Sequence, residues 1–129
     1  MSISWPRLIA AAVAAPVIWG VCQAGGNLLL QTLFPGVAPG AESIPMGYLV
    51  GALLLSLVYG VVSGAGAARI AAADLIPVVI AAGGVLLAVG LAVQISFWDV
   101  LPTWWHLTFL AMILPSTACG ARLAASRPA

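Results

Sequence analysis

Lysine is absent from this sequence, and only three acidic residues, Glu42, Asp74 and Asp99, stand against four arginines, Arg7, Arg69, Arg122 and Arg127. Charged residues make up 5% of the 129 positions and hydrophobic ones 64%, at a mean hydropathy of +1.19. So little polar surface does not cover a water-soluble core of this size. Four dispersed arginines and a net charge of +1 also exclude nucleic acid as a partner, because neutralising phosphates takes clustered cations. One histidine, His106, and two cysteines, Cys22 and Cys119, do not assemble a metal site. The cysteines are expected at depths differing by ~15 Å of helix rise, too far apart for a disulfide, and are expected as small packing residues.

Catalytic patterns are missing as well. There is no Cys-x-x-Cys, no His-Glu-x-x-His, no Gly-x-Ser-x-Gly, no phosphate loop and no second histidine for a haem pair. The expectation is a non-enzyme with no catalytic, cofactor-binding or metal-binding residue. No carboxylate falls inside an apolar stretch, and proton-coupled export relies on an intramembrane acid. A comparison with small multidrug exporters, suggested by length, therefore lacks its working residue.

What the chain has is apolar length. Residues 8–34, 45–68, 75–97 and 104–122 are each at or near the ~20 residues that cross a bilayer as a helix. The fold expected is an all-α membrane protein, a four-transmembrane-helix bundle forming one domain over residues 1–129, with the lipid bilayer as its solvent. Ser4, Ser43, Asp74 and Asp99 each precede a first-turn proline by two or three positions, a capping signal repeated at all four starts. The first stretch imitates a secretory leader from Arg7 through Ile18, but its apolar run continues to Leu33, so it is expected as a retained helix.

A four-span path puts all four arginines on one side and Glu42 and Asp99 on the other. By the positive-inside bias both termini are expected to be cytoplasmic. Trp98, Trp104, Trp105, Phe34 and Tyr48 then mark the outer interface and Trp5 the inner one. Such uniform sorting argues against dual-topology insertion.

Helix association in lipid relies on small residues and interhelical hydrogen bonds. Ser56, Gly60, Gly64 and Ala68 form one row on the second span, with Gly47 and Gly51 nearer its start. Gly84, Ala88, Ala92 and Ser96 form a row on the third, and the two rows are expected to pack together. Pro16 and Pro115 are expected to bend the first and fourth spans.

One polar constellation stands out. Gln23, Asn27 and Gln31 recur every four residues and form a stripe on the first span, beside Gly25 and Gly26, with Gln94 and His106 at similar depth. One use is a polar pocket or hydrated vestibule, in which Asp99 and His106 are close enough to pair. The other, taken as the expectation, is hydrogen bonding between helices, with His106 as an interfacial residue beside the tryptophans.

Phe34-Pro35-Gly36 after the first span, Ala67-Ala68-Arg69-Ile70-Ala71 closing the second, Pro102-Thr103-Trp104-Trp105-His106-Leu107 opening the fourth, and Pro115 through Gly120-Ala121-Arg122-Leu123 near the end form an ordered set. In this order the chain resembles the small four-helix bacterial membrane proteins of unknown function. The resemblance implies the four-helix fold and a bacterial inner membrane, and no activity. Two functions are expected in competition. One is a non-enzymatic accessory or assembly partner acting through lateral helix contacts. The other is a small channel or transporter subunit that uses the stripe, as a homo-oligomer, since four short helices enclose little space.

Overall fold

A computed structural model describes residues 3–37 and 43–125 and contains four helices: α1, Trp5–Leu33; α2, Met46–Ala71; α3, Leu75–Ser96; and α4, Thr103–Ala125. Each is long and apolar enough to cross a membrane. The described residues contain no strand. Three of the helices run past the arginines that limit the apolar stretches, so Arg7, Arg69 and Arg122 lie inside terminal turns. Hydrocarbon length set the sequence boundaries, whereas backbone hydrogen bonding continues beyond it. Glu42 and Arg127 lie outside the described residues.

The helix starts are where the prolines put them, but not through side-chain caps. Ser4 and Asp74 occupy N-cap positions without making a cap hydrogen bond, and at α2 the cap position is Pro45 itself. Pre-set proline backbone angles suffice to start these helices. At the other end of α2, Ala72 adopts the left-handed conformation (φ 47°), and its N–H donates to the Ala68 carbonyl at 3.0 Å. This closes the helix and begins the three-residue turn to α3.

Around the bundle the order is α1, α2, α4, α3. Helix α2 packs along α1 and α4, and meets α3 only near the connecting turn. The expected pairing of α2 with α3 is therefore corrected. The α2 row is buried as expected at Ser56, Gly60 and Gly64, but its partner is α4. A methyl added at Gly60 would collide with the Ser116 hydroxyl, one at Gly64 with the Thr117 carbonyl, and one at Gly120 of α4 with the Val61 carbonyl. The two backbones are thus in direct contact, as small residues permit.

On α3 the expected row faces outward. Gly84, Ala88, Ala92 and Ser96 are exposed, while Val78, Ala82, Gly83, Leu86, Gly90 and Gln94 are buried. The cause is a π-helical turn over Val79–Gly83, combined with the burial of Gln94. In a regular helix Val78 and Gln94 would lie about 160° apart, but one extra residue taken up by a π turn brings them within about 60° of each other.

The half of the bundle nearer Ile3 and Ala125 is filled by small side chains. Ala11, Ala15, Ala67, Ala82, Ser63 and Thr117 are all fully buried there or at mid-depth. Neither cysteine is a core packing residue: Cys22 is half-buried and Cys119 exposed, and both are free. Pro16 and Pro115 lie within helices that remain continuous.

Candidate functional site

The opposite half, toward the 34–45 and 97–102 connections, is not filled. It encloses a cavity of ≈ 280 Å³ bounded by all four helices. Its floor is aromatic. The Trp19 ring meets Tyr59 edge-on at 5.7 Å and Phe109 at 5.8 Å, and Trp105 stacks on Phe109 at 5.4 Å. These rings interlock from three helices, so the walls are flat and rigid. Tyr59 reaches this position only because residue 26 is glycine; a methyl there would overlap the Tyr59 hydroxyl.

The polar stripe divides at this cavity. Gln23 and Asn27 line it, while Gln31 is exposed and lies outside it. The expected interhelical bonding of the stripe is not what these side chains do. Gln23 accepts from the indole N–H of Trp19 one turn back on the same helix, at 3.2 Å, and no bond from Asn27 to another described residue is formed. Most hydroxyls behave likewise: those of Thr32, Ser56, Ser96, Thr108, Ser116 and Thr117 donate to carbonyls of their own helices. A short hydroxyl reaches the carbonyl one turn back more easily than a neighbouring helix. Ser63 Oγ is the one buried side-chain polar atom among the described residues with no partner.

Real interhelical bonds come from larger groups. Trp105 Nε1 donates to the Leu49 carbonyl at 3.0 Å, joining α4 to α2. Trp105 is therefore a core residue and not an interfacial marker, unlike Trp104, which is exposed. His106 is likewise fully buried rather than interfacial. Its Nδ1 contacts the Gln94 carboxamide of α3, its Nε2 lies 3.2 Å from the Trp98 carbonyl, and its ring stacks on Trp98 at 4.6 Å. Asp99 is not its partner. The Gln94 carboxamide turns its oxygen to Nδ1, so a neutral imidazole carrying its proton there donates to Gln94.

This pair fixes Gln94 at the cavity wall, whereas His106 stands behind it and does not line the cavity. The arrangement clamps the 97–102 connection over the end of the bundle. Phe97 and Val100 of the 97–102 connection line the cavity and are exposed. Gln23 and Asn27 on α1, and Val89 and Val93 on α3 (45% and 43% exposed), both line the cavity and reach the surface. Among the described residues no cluster of metal-ligating side chains occurs.

The aromatic walls escape a search for polar motifs, although a signal for them exists. Trp19 precedes Gln23 by four residues, so the stripe starts one turn earlier, with an indole. Comparison with protein-family models, curated proteins and solved structures found no match.

Proposed function

We propose that this chain is a non-enzymatic multi-pass protein of a bacterial inner membrane, with both termini cytoplasmic, that holds a small membrane-dissolved molecule between α1 and α3. The observation that carries the reading is the ≈ 280 Å³ cavity lined by all four helices, with Gln23, Asn27, Val89 and Val93 both lining it and exposed. If the helices cross a bilayer, the exposed lining residues of α1 and α3 face lipid. The cavity's size is just under the usual range for small-molecule pockets, and mostly apolar walls with a few placed polar groups are what such pockets have. Orientation rests on Arg7, Arg69 and Arg122, which share one end of the bundle. Binding is favoured over conduction because the cavity ends above a half of the bundle filled by close-packed small side chains.

Native mass spectrometry of the full chain, released from membranes in mild detergent, tests the reading. A retained non-protein mass is expected, and Val93→Trp, which places an indole in the cavity wall, should abolish it. Identical spectra without adduct from both proteins would overturn the proposal.

A second reading, an assembly partner acting by lateral contact, has its own support. Gly84, Ala88 and Ala92 are exposed, and Gly84 has open space around it, so another helix can approach this face closely. Loss of a co-purifying membrane protein on Gly84→Leu would favour it. Retention of every partner would count against it.

A further inference from the structure

We infer that the chain associates with a second copy of itself through one face of α1, with the amides of the polar stripe forming the seam. The inference rests on the helices crossing a bilayer, and not on the cavity being occupied. At about 100° per residue, Val13, Gly20, Gln23, Ala24, Asn27 and Gln31 fall within about 60° of the Gly20 direction, and all six are exposed. Arg7 lies about 140° round the helix from that direction, so no charge of α1 stands on this face.

The face carries hydrogen-bonding capacity that the chain itself does not use. The side chains of Asn27 and Gln31 bond to no other described residue, and Gln23 uses only its carbonyl oxygen, as acceptor from Trp19. Asn27 and Gln23 stand six and ten residues inside the Leu33 end of α1, about 9 and 15 Å of rise, which is hydrocarbon depth. An amide there finds no water, and leaving it unsatisfied is costly. A molecule in the cavity reaches Gln23 and Asn27 but not Gln31, which lies outside it. Another helix laid along this face reaches all three.

A second copy supplies that helix with the right chemistry at the right depth. A carboxamide holds a donor and an acceptor, so it complements itself, and across a two-fold axis Asn27 pairs with the same residue of the other copy. Copies inserted in one orientation hold position 27 at equal depth, whereas an unrelated helix has to match it by coincidence. Association through one self-complementary patch is also the commonest form of assembly. Close approach is open as well. A Cβ built on Gly20 meets no atom within 4 Å, and Ala24 follows at the four-residue spacing of small residues at which membrane helices meet.

The experiment oxidises the full chain carrying Ala24→Cys, in a background lacking Cys22 and Cys119, within native membranes. A disulfide-linked species of twice the chain mass is expected, while Val58→Cys, exposed on α2, should give none. Energy transfer between labelled chains diluted in liposomes then measures the strength of association. Asn27→Leu should weaken it about tenfold, as loss of a hydrogen bond predicts. Gly20→Leu should abolish it, and position 20 does not line the cavity, so this effect is separate from anything held there. Both positions are exposed, and helix content measured by circular dichroism confirms that each variant is folded. No linked dimer, equal cross-linking at positions 24 and 58, or association that survives either substitution unchanged would each overturn the inference. A cross-link from position 24 to a different protein would do the same, by giving the face another occupant.

Discussion

At the scale of single residues, one strained backbone position and one buried polar pair have consequences for stability. Ala72 ends α2 at φ 47°, where a Cβ is disfavoured and glycine is the usual occupant. Ala72→Gly is expected to stabilise the fold by about 1 kcal/mol, because a left-handed L-residue costs of that order. A higher thermal midpoint in detergent would show it, and a lower one would refute it. Gln94 and His106 are both buried, at 4% and 0% exposure, and satisfy each other. Replacing either alone with leucine leaves a polar partner stranded, at a cost of about 1–3 kcal/mol. A double-mutant cycle should return a coupling of at least about 0.6 kcal/mol. Additive effects would mean that the pair does not form.

Sequence reasoning placed these two residues at the same depth, which follows from counting along helices. It did not pair them, because pairing depends on which face of α3 turns inward. Burial of His106 is not legible for a related reason: flanking tryptophans suggest an interface, whereas the bond from Trp105 to Leu49 on α2 turns this part of α4 into the bundle.

At the scale of elements, the number and approximate limits of the helices were legible from apolar length and proline placement. Their neighbours were not. Two small-residue rows suggested that α2 meets α3, yet four-residue spacing cannot distinguish a buried row from its exposed counterpart two positions away. The π turn adds an offset that no periodicity announces. The correction is directly testable. Gly64→Ala should destabilise by about 1–3 kcal/mol, since overpacking here strikes the backbone of α4. Gly84→Ala, with open space around it, should be neutral or stabilising by up to about 1 kcal/mol. If the two variants melted alike, the α2–α4 contact would be misplaced.

At the scale of the whole molecule, the bundle divides into a filled half and a hollow half. Alanine fills the first because helices that approach closely leave no room for more. Aromatic residues frame the second because rings meeting edge-on hold walls apart. The polar stripe was visible in the sequence, but its relation to a cavity was not, since the facing walls, including Tyr48, Tyr59, Trp105 and Phe109, come from other helices. The orientation we propose predicts that, in a background lacking Cys22 and Cys119, Asp99→Cys reacts with a membrane-impermeant thiol reagent added to intact cells. Arg69→Cys should stay unlabelled. The reverse pattern would invert the assignment of the cavity to the outer half of the membrane.

The π turn of α3 also bears on how this chain tolerates change in length. Losing one residue from a transmembrane helix ordinarily swings everything beyond it by about 100°. Between Val79 and Gly83 the extra residue is already accommodated as a bulge, and its removal restores a regular helix with both flanks in place. Deletion of Ala81 should therefore keep Gln94 against His106 and leave a folded protein, whereas deletion of Ala88 should turn Gln94 out toward lipid. Thermal midpoints of the two deletion variants measure this directly, and equal losses would show that the bulge holds no spare residue. Insertions and deletions along α3 are thus expected to be accepted at one turn and rejected elsewhere.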